Sequence, residues 1–162
     1  SHPMSKAVGK FSGVSIGSDA DALGKNDSLL FELSDDRKRL YIFFGGIASG
    51  IAMPVFEFYN ASRILDDSKI FVRDRSQCWY QQGLAGISRD PASTATVLRD
   101  CIDRVGPERV YFVGNSMGGY AAIMFAALIG VGEAIAFAPQ TFISPLLFRT
   151  FPNTLAIYTF SI

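Results

Sequence analysis

A serine framed by glycines is the most specific chemical feature of this 162-residue chain. Ser116 lies in the run G-N-S-M-G-G, residues 114–119, between a predicted strand and a predicted helix. This is a G-x-S-x-G pattern in the context it requires, a sharp strand-to-helix turn that holds the serine above a sheet. The helix N-terminus beneath the serine offers free N–H groups, which favour negative charge on a reacting oxygen. The pattern predicts an exposed serine at a reactive site, and a purely structural tight turn is the alternative.

A second glycine turn completes the same predicted site. Residues 43–47, F-F-G-G-I, follow a predicted strand, and glycines there let the backbone approach a substrate and donate one N–H to an oxyanion. The Met117 N–H would donate the other. Gly46 and Ile47 are both candidates for the first donor, and the sequence does not choose between them. An ordinary turn at a strand end is the alternative interpretation.

These segments resemble the α/β-hydrolase family. Gly-Asn-Ser-Met-Gly-Gly after a buried strand is similar to the nucleophile elbow of that family, and Phe-Phe-Gly-Gly is similar to its oxyanion loop. The segment Asp74-Arg75-Ser76 resembles the Asp-x-Arg-Gly loop of many members, although the glycine is absent. The resemblance covers residues 28–140 in element order. It implies a serine esterase or related acyl-hydrolase that forms an acyl-enzyme on Ser116.

The triad of that family is incomplete in this sequence. The family places an Asp or Glu after a later strand and a histidine near the end, whereas after Ser116 this sequence has one acid, Glu133, and no histidine. Glu133 begins its predicted strand, at the end away from Ser116. The single histidine is His2, within residues 1–5, which have the character of a tag remnant or a disordered start. We therefore expect a domain cut before its acid and histidine, with the acid directly after a strand predicted at 155–162.

Three interpretations follow from these residues. The first is a serine hydrolase that is inactive or nearly so as this fragment. The second is a non-catalytic binding or accessory module that uses the same pocket on a hydrolase scaffold. The third, catalysis by Ser116 without histidine, is disfavoured because removal of triad members leaves only residual catalysis.

Strands and helices alternate along the chain, which predicts βαβ units around this serine. Apolar strands are predicted at 28–33, 40–44, 69–72, 109–113, 134–138 and 155–162, and helices at 53–65, 93–105 and 116–129. The predicted fold class is α/β, with a mostly parallel sheet, helices on both faces and an α/β-hydrolase-like order that is incomplete at the C-terminus. Residues 6–162 are expected to form this single domain.

Four further residues are candidates for contacts with a substrate. Asp74 follows a strand at its carboxyl end, where open α/β sheets bind ligands, and an aspartate that caps its own loop is the alternative. Trp79 and Tyr80 are predicted to form an aromatic pocket wall, or else to pack against the sheet. Gln140 follows the strand at 134–138 and would reach the same edge.

The composition excludes several classes of protein. Fifteen basic residues balance fifteen acidic ones, which argues against a nucleic-acid or basic membrane-surface binder. Cys78 and Cys101 are too few for a disulfide framework or a metal cluster, and no cofactor is expected. The sequence has no signal-peptide pattern and no uninterrupted apolar span, so we expect a cytoplasmic protein. The expected partners are a small acyl or ester substrate and, because the last predicted strand is apolar, a second copy of the chain.

Overall fold

The computed structural model describes residues 27–46 and 58–139, together with the backbone of two strands at Val14–Ile16 and Ile157–Ser161. The strands are β1 (Val14–Ile16), β2 (Leu29–Glu32), β3 (Arg39–Phe44), β4 (Ser68–Val72), β5 (Arg109–Asn115), β6 (Glu133–Phe137) and β7 (Ile157–Ser161). The helices of this part are a 3-10 helix at Ala61–Ile64 and two α-helices, α1 (Pro91–Val105) and α2 (Met117–Ile129).

The strands form one sheet in the order β1-β2-β4-β3-β5-β6-β7. At its centre β3 is parallel to both β4 and β5, and β6 is parallel to β5. The antiparallel pairs are β2 with β4 and β6 with β7. The predicted α/β class with a mostly parallel sheet is therefore confirmed.

Both α-helices pack on the same face of this sheet. Ile42 and Phe44 of β3 share one buried cluster with Leu98 of α1 and with Ala122 and Phe125 of α2. Successive side chains of a strand alternate between faces, so the continuous apolar run of β3 supplies this cluster and a second one on the opposite face. A strand with both faces buried is what that run predicts.

The opposite face is packed by residues 58–65. The ring of Phe58 stacks on Phe43 at 5.5 Å, and the ring of Tyr59 lies 5.4 Å from Phe71. A helix is predicted at 53–65, but its described part is a turn followed by the 3-10 helix, and residues 53–57 lie outside the described part. An α-helix on this second face therefore stays a prediction.

Helix α1 shows how local chemistry fixes an element. The Asp90 carboxylate accepts a hydrogen bond from the Ser93 N–H at 2.7 Å, and Pro91 occupies the first helical position, where its missing N–H costs nothing. The helix ends at Gly106, which has a φ of 64°, a left-handed conformation that glycine adopts without strain. The helix predicted at 93–105 therefore forms, and it begins two residues earlier, at Pro91.

Strand β7 runs antiparallel to β6. In the β6–β7 register, Phe137 is opposite Ile157 and Glu133 is opposite Ser161. The chain therefore leaves β7 beside Glu133, the first residue of β6. The Ser116 N–H is hydrogen-bonded to Phe137, the last residue of β6. A residue directly after β7 would therefore lie near Glu133, and the triad acid expected after this strand stays a prediction.

No helix within residues 27–46 and 58–139 combines the length and the apolar character that crossing a bilayer requires.

Candidate functional site

Ser116 lies in the turn between β5 and α2 with a backbone that few side chains adopt. Its φ is 55° and its ψ is −119°, a conformation that costs of order 1–3 kcal/mol for a residue other than glycine. The Ser116 N–H donates to the Phe137 carbonyl at 2.9 Å, and the Ser116 carbonyl accepts from the Tyr120 N–H at 3.1 Å. The end of β6 and the first turn of α2 therefore hold the serine in this strained geometry.

Glycines on both sides of Ser116 allow the strand and the helix to meet. A Cβ at Gly114 would lie 2.0 Å from the Gly118 carbonyl oxygen, and a Cβ at Gly118 would lie 2.1 Å from the Phe44 carbonyl oxygen. Both distances are far inside van der Waals contact with backbone atoms, which cannot move away as a side chain can. The G-x-S-x-G spacing is therefore a steric requirement of this turn.

The Ser116 side chain is half-buried and has no fixed partner in the described part of the chain. None of the hydrogen bonds within residues 27–46 and 58–139 involves its Oγ. Activation of a serine requires a base that accepts the Oγ proton.

The backbone donors predicted for an oxyanion lie on two neighbouring segments. Met117 is the first residue of α2 and is buried, and the N–H of a first helical residue has no acceptor within its own helix. The Gly45 N–H donates to the Val72 carbonyl at 2.9 Å, so Gly45 itself is engaged in the sheet. Gly46 follows at the rim, half-buried, and Ile47 lies outside the described residues, so the choice between the two stays open.

Asp74 organises the loop that follows β4. Its side chain is 4% exposed, and its carboxylate accepts three backbone hydrogen bonds, from Ser76 at 3.0 Å, Cys78 at 2.7 Å and Tyr80 at 2.9 Å. These bonds use both carboxylate oxygens to hold residues 74–80 together. A contact between Asp74 and a substrate stays a prediction, and the observed geometry is that of a loop cap.

Tyr80 connects this loop to the Gly45–Gly46 turn. Its side chain is fully buried, and its hydroxyl lies 2.9 Å from the Gly45 carbonyl oxygen and 3.2 Å from the Val72 carbonyl oxygen. Its ring packs edge-on against Phe44 at 5.7 Å and against Phe125 at 6.0 Å. Tyr80 therefore joins the ends of β3 and β4 to α2.

Trp79 is half-buried against the same core. Its indole N–H is buried, and within the described residues it has no hydrogen-bond partner. Gln77, Trp79 and Tyr80 all have positive φ values, of 51°, 54° and 61°, so this loop is strained over several residues. The aromatic wall predicted from the sequence stays a prediction.

The structure brings some of the predicted residues together and separates others. Gly118, two residues after Ser116, lies against Phe44 and Gly45, so the turn after β5 and the turn after β3 are neighbours. Glu133 is the first residue of β6, four residues from Phe137, and this corresponds to about 13 Å along a strand. Glu133 is therefore at the end of β6 that lies away from Ser116, as its position in the sequence predicts. Gln140 and His2 lie outside the described residues.

Two hydrogen bonds in this region are not predicted by the sequence. The Tyr80 hydroxyl holds the Gly45 carbonyl, and the Gln81 amide donates to the Tyr120 hydroxyl at 3.3 Å. A buried tyrosine needs a hydrogen-bond partner for its hydroxyl, but the sequence does not indicate which group that partner is.

No known protein-family model matches this chain, and no curated protein matches it either.

Proposed function

We propose that this chain carries the nucleophile and the oxyanion donors of a serine acyl-hydrolase of the α/β-hydrolase type, with an ester or a related acyl compound as substrate. The observation that carries the proposal is the backbone of Ser116, strained at φ 55° between Gly114 and Gly118, both of which lie too close to backbone atoms for a side chain. Strain of this kind persists where the surroundings impose it, and it is concentrated at functional sites.

The proposed reaction uses Ser116 Oγ as the attacking atom. A bond forms between Oγ and the acyl carbon, negative charge develops on the carbonyl oxygen, and the alcohol leaves with the proton that the serine loses. Water then cleaves the acyl-serine. In this reaction the backbone N–H groups of Met117 and of the turn after β3 stabilise the oxyanion, a contribution worth about 3 kcal/mol for one donor.

This chain supplies no histidine after His2. The described residues offer Ser116 no side chain to accept its proton, so we expect p-nitrophenyl esters to be turned over negligibly by this polypeptide. Turnover of about 1 s⁻¹ or more, the low end of ordinary enzymes, that disappears in Ser116→Ala would contradict this expectation.

Covalent labelling by a fluorophosphonate tests the nucleophile directly. In this reaction Oγ bonds to phosphorus, fluoride leaves and the proton passes to solvent. We expect slow labelling to one equivalent in the wild type, none in Ser116→Ala, and unchanged labelling in Ser76→Ala, which removes an exposed serine from the loop after β4. Equal labelling of Ser116→Ala, or no labelling of the wild type, would overturn the proposal.

A binding or accessory module on the same scaffold is the second candidate, and the lone His2 is the observation that favours it. Acylation distinguishes the two. The hydrolase proposal predicts a burst of up to one equivalent of p-nitrophenolate from an activated ester, which Ser116→Ala removes. A binding module predicts no burst.

The proposal also covers the location and the self-association of the protein. It includes a cytoplasmic location and self-association through β7, which forms one end of the sheet and would leave an edge for a second chain. A monomer by light scattering would contradict the self-association.

A further inference from the structure

The turn after β3 is fixed by a closed set of hydrogen bonds. The Gly45 N–H donates to the Val72 carbonyl at 2.9 Å, and the Tyr80 hydroxyl lies 2.9 Å from the Gly45 carbonyl oxygen. The Val72 oxygen is also within 3.2 Å of that hydroxyl. Both polar groups of Gly45 are therefore engaged, its N–H by β4 and its carbonyl by the loop that follows β4.

The orientation of one peptide group follows from this arrangement. The Gly45 carbonyl and the Gly46 N–H belong to the same planar trans peptide and point in opposite directions. A hydroxyl that holds the Gly45 oxygen therefore also sets the direction of the Gly46 N–H. Gly46 is one of the two candidates for the donor on this turn.

Tyr80 is itself held on three sides. Its backbone N–H donates to Asp74 at 2.9 Å, its ring packs against Phe44 and Phe125, and its side chain is fully buried. Its φ of 61° is a conformation that the loop imposes on a bulky residue. These contacts fix the position of the Tyr80 hydroxyl relative to the turn.

We propose that Tyr80 is a positioning residue, whose hydroxyl aims the Gly46 N–H at the oxyanion formed on Ser116. This inference rests on the function proposed above. Asp74 acts one step further back, because its carboxylate holds the Tyr80 backbone. Tyr80 touches no reacting atom in this proposal, and its effect passes through the Gly45–Gly46 peptide.

The variant Tyr80→Phe isolates the hydroxyl because it keeps the ring contacts with Phe44 and Phe125. We expect the limiting rate of fluorophosphonate labelling, kinact, to fall about 10-fold with KI little changed, which is part of the cost of deleting one oxyanion donor. Tyr59→Phe is the matched control, a buried tyrosine on the opposite face of the sheet, and its kinact should equal that of the wild type.

The ³¹P chemical shift of the phosphonylated serine gives a readout that general destabilisation does not move. Fewer hydrogen bonds to the phosphoryl oxygen should shift this signal in Tyr80→Phe but not in Tyr59→Phe. An unchanged shift together with an unchanged kinact in Tyr80→Phe would overturn the positioning role.

Two further results complete the test. If Tyr80→Phe does not fold, the wild type still decides the question, because phosphonylation of Ser116 should shift the amide proton of Gly46, and an unmoved Gly46 resonance would overturn the proposal. Absence of labelling in the wild type would instead reject the proposed function itself, so the two failures are distinguishable.

Discussion

Gly118 of α2 lies against the carbonyl oxygen of Phe44, so closely that a Cβ at position 118 would be 2.1 Å from that atom. This contact joins the helix that begins behind Ser116 to the strand that leads into the Gly45–Gly46 turn. The two halves of the candidate site are therefore in register only because residue 118 has no side chain.

The variant Gly118→Ala should disrupt this contact. Since both partners are backbone, relief requires that β3 or α2 shift, and we expect a loss of about 3 kcal/mol in the free energy of unfolding, the upper range for overpacking. Urea denaturation measures it. Gly119→Ala is the matched comparison and should lose less, because its Cβ would lie 3.1 Å from the Phe137 carbonyl oxygen, a tight contact that a shift of a few tenths of an ångström relieves, and because alanine favours a helix. Equal stability of the two variants would contradict the steric account.

Replacing Ser116 tests the backbone strain at the turn. With φ at 55° and ψ at −119°, glycine should fit better than alanine, and we expect Ser116→Gly to be more stable than Ser116→Ala by about 1 kcal/mol. Both variants lack the hydroxyl, so their difference in Tm or in urea midpoint reports the backbone alone. A more stable Ser116→Ala would show that the turn is unstrained.

The carboxylate of Asp74 should be essential to its loop. Asp74→Ala removes the acceptor of three backbone N–H groups, and leaving buried donors without partners costs about 1–3 kcal/mol each, so we expect a loss of about 3 kcal/mol or more. Asp74→Asn keeps one carbonyl oxygen and should lose less. Asp66→Ala, at an exposed position, serves as the control. Denaturation midpoints that are equal for all three would contradict this role.

The stabilisation that Asp90 gives to the N-terminus of α1 should depend on pH. The N–H of Ser93 bonds to the Asp90 carboxylate and holds the pKa of that carboxyl below its ordinary value. A lowered pKa in the folded state means that the ionised group stabilises the fold above its ordinary pKa, and that this stabilisation is lost as the pH falls through the lowered value.

The variant Asp90→Asn isolates this contribution because asparagine also caps helices but does not ionise in this range. We expect the Tm of the wild type to exceed that of Asp90→Asn at pH 7, and the difference to shrink on acidification. A Tm difference that is independent of pH would contradict the assignment.

Much of this fold follows from local patterns in the sequence. The runs L-Y-I-F-F and R-V-Y-F-V predict the central strands β3 and β5, and Asp90, Pro91 and Gly106 mark the ends of α1. The glycine spacing around Ser116 predicts the strand-turn-helix that the backbone adopts. These features are predictable because each depends on neighbours within a few residues.

The remaining features depend on partners that are distant in the sequence. The antiparallel direction of β7 is set by its pairing with β6, and an apolar composition carries no information about direction. Tyr80 and Gly45 are 35 residues apart in the sequence, so their hydrogen bond has no local signal. In the same way, the spacing at 53–65 indicates an apolar face but does not distinguish an α-helix from the turn and 3-10 helix over its described part.

The central claim is that the fold presents Ser116 as a nucleophile, and labelling in the folded and the unfolded state tests it most directly. The wild-type chain is treated with a fluorophosphonate in buffer and in concentrated urea, and the modified residue is located by peptide mass spectrometry. The account predicts one adduct, on Ser116, in buffer, and no preference for Ser116 over other serines in urea. Labelling of Ser116 in buffer at the rate seen in urea, or an adduct at another serine instead, would contradict it.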